Sequence, residues 1–171
     1  MIALRLLNTE SQDKADYLHN QLITDINVPS TYWECAESYL KGVGIYDVFL
    51  IEEQDFRNYK IFLRETGNFT KKQVFERTGF LRNLKKTLIQ EEYKELLDEI
   101  EQCNTVQERL KGNVRNFLIR QGIHHVKEID YRIRELYESE LRRTKTSSKG
   151  LEYLKTLDRI KQFDIRKEME T

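Results

Sequence analysis

Residues 39–66 read YLKGVGIYDVFLIEEQDFRNYKIFLRET, and 78 positions later the chain reads FLIRQGIHHVKEIDYRIRELYESELRRT. Between 38–66 and 116–144, nine of 29 positions are identical. They are Leu40/Leu118, Gly44/Gly122, Ile45/Ile123, Val48/Val126, Ile51/Ile129, Tyr59/Tyr137, Leu63/Leu141, Arg64/Arg142 and Thr66/Thr144. Two unrelated amphipathic helices share leucines by chance, but not a Gly-Ile pair followed by Val, Ile, Tyr and Leu at fixed offsets. With one residue added to the offset, Val74/Tyr153, Phe75/Leu154, Thr78/Leu157, Leu81/Ile160 and Leu84/Phe163 align as well. The spacing predicts one structural unit written twice: helix, Gly-Ile turn, short apolar link, helix, capped loop, helix. It divides the chain into a lead-in helix over 1–28, a first unit over 29–90, an acidic connecting helix over 91–104 and a second unit over 105–171.

The units are expected to be all-α. One proline and seven glycines in 171 residues leave few breaks, and 34% charged with 39% hydrophobic side chains suits amphipathic helices. Ala15, Leu18 and Leu22 share a face of the first helix. Thr31 with Glu34, Thr70 with Gln73 and Thr105 with Glu108 read as capping boxes, and Ser147 or Ser148 caps the last helix. No stretch alternates as a strand does. No apolar run approaches the length of about 18 residues needed to span a bilayer, and MIALRLLN turns polar too soon for a signal peptide. Cys35 and Cys103 lack metal spacing and read as buried or free thiols. The expectation is a soluble, cytoplasmic protein with no membrane partner.

Lysine and arginine balance aspartate and glutamate overall, 29 against 29, but the charge is blocked. Residues 1–55 are net −7, 56–90 net +7, 91–108 net −6 and 109–127 net +5. On a helical wheel starting at Lys71, the residues Lys71, Lys72, Arg82, Lys85 and Lys86 fall within an arc about 140° wide, opposite Val74, Phe80, Leu81, Leu84 and Leu88. Phe75 sits inside the basic arc, where a flat ring could press on a sugar or base. Arg77 falls on the apolar side and is explained only by snorkelling. The matching helix of the second unit carries Lys149 at its start, with Lys155, Arg159 and Arg166 in a narrower stripe. Such faces suit a phosphate backbone, which they bind through counterion release.

Catalytic chemistry is not expected. His124 and His125 are adjacent and point apart, so they make a poor metal pair, and His19 is alone. There is no Gly-rich phosphate loop, nucleophile elbow or metalloprotease helix motif. No catalytic residue, metal, cofactor or small-molecule substrate is therefore assigned.

The stretch FLIEEQDFRNYKIFLRETGNFTKKQVFERTGFLRNLKKTL resembles the N-terminal SAM-like, core-binding region of tyrosine recombinases, the phage and transposon integrases. There an I-x-x-x-D-[ILF]-x-x-Y-x-x-x-L helix is followed by a Ser/Thr cap and a long basic helix. Ile51, Asp55, Phe56, Tyr59 and Leu63 match it here, followed by Thr70 and the run from Lys71 to Lys86. The second copy, GIHHVKEIDYRIRELYESELRRTKTSSKGLEYLKTLDRIKQF, is similar to a segment upstream of the catalytic domain in large integrases. The resemblance spans about 31–88 and 106–165. It implies duplex DNA as partner, with self-association possible on DNA, and assigns contacts to Lys71, Lys72, Arg82, Lys85 and Lys86. Lys149, Lys155 and Arg159 follow by the same argument. The family's catalytic set has no counterpart, because none of the three histidines begins a His-x-x-Arg. The expected role is the DNA-binding, non-catalytic part of a site-specific recombinase; the alternative is a helical interaction or self-assembly module.

Overall fold

The computed structural model describes residues 2–24 and 27–171, with side chains described from Glu10 onward. Among these residues the fold is all-helical, and it separates into two units, 1–89 and 90–171. The first contains α1 (Ile2–Leu22), α2 (Ser30–Gly42), a 3₁₀ turn at Val48–Leu50, α3 (Glu53–Thr66) and α4 (Lys71–Glu92). The second contains α5 (Lys94–Gln102), α6 (Glu108–Arg120), a 3₁₀ turn at Val126–Glu128, α7 (Tyr131–Thr144) and α8 (Ser147–Glu170). The last residues of α4 belong to the second unit.

A shift of 78 residues carries α2 onto α6, one 3₁₀ turn onto the other and α3 onto α7, end for end. The turn after α2 shows why. Gly44 (φ 78°) and Gly122 (φ 69°) are left-handed. This lets the next amide reach back across the helix end, from Ile45 to the Leu40 carbonyl (2.9 Å) and from Ile123 to the Leu118 carbonyl (3.0 Å). Both are Schellman closures, which satisfy carbonyls that would otherwise be orphaned. Gly44→Ala and Gly122→Ala are each expected to destabilise the protein by about 1–2 kcal/mol, the strain of a Cβ in that conformation, measured by urea unfolding. The identical apolar positions form equivalent cores: Leu40, Val48, Ile51, Tyr59 and Leu63 are buried in the first unit, and Leu118, Val126, Ile129, Tyr137 and Leu141 in the second.

The repeat extends further back than sequence identity does. Leu18 and Leu22 of α1 enter the first core, and Leu96 and Ile100, 78 residues on, enter the second. Between them Gln21 accepts a hydrogen bond from the Val48 amide (2.8 Å), as Glu99 does from the Val126 amide (2.6 Å). The stretch 91–104, expected as a connector, therefore contains α5, the counterpart of α1, and belongs inside the second unit. Likewise the lead-in over 1–28 belongs to the first.

Of the expected caps, the one at Thr70 is present: its hydroxyl accepts from the Gln73 amide (3.2 Å), and its amide donates to the Gln73 side chain (2.9 Å). The others differ. α2 begins at Ser30 behind Pro29, so Thr31 lies within its first turn. α6 begins at Glu108 behind Gln107, and Thr105 instead meets the Cys103 thiol (3.4 Å). α8 begins at Ser147 behind Thr146, with no side-chain cap. Two caps not expected from sequence open the repeated helices α3 and α7: Glu52 with Asp55, and Asp130, which accepts from the Ile133 amide (2.9 Å).

Candidate nucleic-acid interface

α4 turns Val74, Leu81 and Leu84 into the first core and leaves Lys71, Lys72, Phe75 and Lys86 on the surface. Phe75 is 75% exposed, an unusual position for a phenylalanine, and it follows Lys71 by four residues and Lys72 by three. Gly79, one turn beyond Phe75, has nothing within 4 Å of the place a Cβ would take, so the backbone is bare there. A glycine inside a helix costs about 1 kcal/mol against alanine, and close approach of another molecule is one physical use for it. The first turn of α4 contains no acidic residue, although the helix dipole favours one there; it carries Lys71 and Lys72 instead.

Two of the five expected α4 contacts are already engaged within the unit, contrary to a face wholly open to a partner. Arg82 forms a bidentate pair with Glu53 (2.7 and 2.8 Å), and its guanidinium lies 4.4 Å from the Phe56 ring centre. The hydrogen bond from Arg82 holds the Glu53 carboxyl below the usual range. Lys85 folds inward and donates to the Ile51 carbonyl, and burial lowers its pKa. Lys72 approaches its own-helix neighbour Glu76 at 3.8 Å, while Lys71 and Lys86 make no ion pair among the described residues. Part of the acidic surplus of 1–55 is thus spent on α4, through Glu53.

The inward lysine belongs to the architecture. In the second unit Lys161 does the same work, donating to the carbonyls of Val126 (3.3 Å) and Lys127 (3.0 Å). Each unit ties its 3₁₀ link to its last helix by a lysine, which no sequence pattern announced, because the two lysines do not align in register. On α8, Lys149, Lys155 and Arg159 are exposed and make no ion pair among the described residues. The first turn of α8 also lacks an acid. The register Val74/Tyr153, Thr78/Leu157, Leu81/Ile160 and Leu84/Phe163 keeps each pair at least half-buried, but Phe75/Leu154 does not: Leu154 is buried and Phe75 exposed.

Among the described residues no group of three or more histidine, cysteine, aspartate or glutamate side chains is placed to hold a metal, and no helix is long and apolar enough to cross a membrane. His19 meets Glu37 (3.1 Å), His124 meets Glu92 (3.0 Å) and stacks on Tyr93, and His125 meets Glu95 (3.1 Å). The residue that sequence reasoning undervalued is Arg77, which is buried between the rings of Tyr32 and Phe69. Comparison with family models, with curated proteins and with solved structures returned no match.

Proposed function

We propose that this chain is a duplex DNA-binding module, with the exposed side of α4 as its principal contact and the start of α8 as a second. The observation that carries the reading is the stripe of Lys71, Lys72, Phe75 and Lys86 around the bare backbone at Gly79. Surface lysines neutralise phosphates, the phenyl ring packs on sugar, and the missing Cβ permits close approach. Arg82 and Lys85, engaged elsewhere, leave the contact set. The resemblance to the core-binding region of tyrosine recombinases supports the same reading, and with it a role as the non-catalytic, DNA-gripping part of a site-specific recombinase.

Fluorescence anisotropy with a labelled duplex tests this. Lys71→Glu with Lys72→Glu is expected to weaken binding about 10- to 100-fold and to flatten the salt dependence by about two phosphate contacts. Unchanged affinity, or affinity indifferent to salt, refutes the reading. A second reading, a helical interaction module, draws on Leu136 (43% exposed) and Leu151 (52% exposed) of the second unit. It predicts self-association in sedimentation that is indifferent to DNA.

A further inference from the structure

Arg77 lies in the second turn of α4 and is only 7% exposed, yet it makes no ion pair among the described residues. Its Nε has no hydrogen-bond partner among them. Its other two nitrogens make bonds at the outer limit of useful length, to the Gln73 carbonyl (3.4 Å) and the Thr31 hydroxyl (3.5 Å). The carboxylate one residue away, Glu76, accepts from the Tyr32 hydroxyl (3.2 Å) and lies 3.8 Å from Lys72. The guanidinium is held between two rings, 4.2 Å from the centre of Phe69 and 5.0 Å from that of Tyr32. Phe69 is set there by its loop: it folds back over Gly67 so closely that a Cβ on Gly67 would fall 2.1 Å from the ring.

Burying a cation without a counter-charge is costly, and stacking on rings offsets only part of that cost. Here the surroundings add to it. The guanidinium points at Thr31, in the first turn of α2, which is the positive end of a 13-residue helix with no acid in that turn and no side-chain cap. The second unit shows that the fold does not require this. In the register that carries Thr78 onto Leu157, its counterpart is Thr156, buried and neutral, whose hydroxyl donates to its own helix at the Glu152 carbonyl (2.9 Å). The arginine is thus peculiar to the first unit.

We infer that the first unit holds an anion site for a phosphate group, formed by the Arg77 guanidinium and the first turn of α2. Thr31 is exposed, so the site opens to solvent at its rim. A phosphate there meets a planar fork of donors already oriented by two rings, the Thr31 hydroxyl, and the positive end of α2. The phosphate is either free or part of a nucleic-acid backbone, and the inference does not depend on duplex binding.

The test uses the full chain in phosphate and in chloride at matched ionic strength. Saturating phosphate is expected to raise the melting temperature by about 5 °C, and Arg77→Met and Arg77→Thr are expected to abolish that rise. In chloride Arg77→Met should melt no lower than the parent, since it removes a buried unpaired charge while keeping most of the side-chain volume between the rings. On the unaltered protein, phosphate should move the Thr31 amide and Arg77 Nε–H resonances first, a readout that survives if the variants fail to fold. A parent melting temperature indifferent to phosphate, an equal rise in the variants, or resonance shifts confined to other residues overturns the site. Duplex affinity about 10-fold weaker in Arg77→Met identifies the backbone as the phosphate source. Unchanged duplex affinity with the phosphate response lost identifies a free phosphate, with the site upheld. Loss of duplex binding in the parent while the phosphate response persists removes the DNA reading alone.

Discussion

Leu40→Ala and Leu118→Ala are each expected to destabilise the protein by about 2–5 kcal/mol. Both leucines are fully buried, lie on equivalent helices and precede the Gly-Ile turn of their unit. Each side chain belongs to the same buried cluster as the valine of its unit's 3₁₀ link, Val48 with Leu40 and Val126 with Leu118. Truncation removes the transfer free energy of three carbon atoms and leaves a cavity that the surrounding helices fill only in part. Because the two sites are built alike, the losses should agree within about 1 kcal/mol, the scatter expected from differences in local relaxation. Urea unfolding of the two variants beside the parent checks this. If one leucine can be truncated for less than about 1 kcal/mol, the two cores are not equivalent.

The second pair separates what the repeats share from what they do not. Tyr137→Phe is expected to cost about 1–3 kcal/mol, whereas Tyr59→Phe should be neutral or slightly stabilising. Both rings are fully buried, and each contacts the aromatic residue of the preceding helix: Tyr59 with Tyr39 (5.1 Å) and Tyr137 with Phe117 (4.4 Å). Burial pushes both phenols up in pKa. The hydroxyls differ. That of Tyr137 donates to the Asn113 side chain, while that of Tyr59 is buried with no partner among the described residues. The residue 78 positions before Asn113 is Cys35, which lies close enough to raise the Tyr59 pKa further. Removing the Tyr59 hydroxyl thus relieves an unsatisfied buried group, and removing that of Tyr137 orphans an amide. Cys35→Asn, copying the second unit, should make Tyr59→Phe costly in its turn. Equal effects of the two Phe substitutions in thermal and urea unfolding would contradict this account.

The legibility of the site followed the geometry of each residue. The wheel identified Lys71, Lys72 and Lys86 as surface and put Arg77 among the apolar side chains, all as found, because α4 is regular and its periodicity is short-range. It could not see that Arg82 would meet Glu53 on α3, 29 residues earlier, or that Lys85 would bend onto the Ile51 carbonyl. Charge on a helix is local information, but the partner of a charge is not. For Arg77 the sequence offered only snorkelling, yet the side chain is buried, because its neighbours, Thr31, Tyr32 and Phe69, come together only when α2 and the loop before α4 pack.

By itself the sequence determined the all-helical class and the doubling of one unit. Both rest on local rules, helix periodicity and a glycine obliged to adopt positive φ at the same place twice. Tertiary structure alone decided where each repeat begins. Among the described residues, the constraints that α1 and α5 share are the buried Leu18 and Leu96 and Leu22 and Ile100, and the capping Gln21 and Glu99, and these are too few to leave a recognisable identity. It also decided which basic residues remain available to a partner. Ion pairing and burial depend on side chains distant in the chain, and no periodicity encodes those distances.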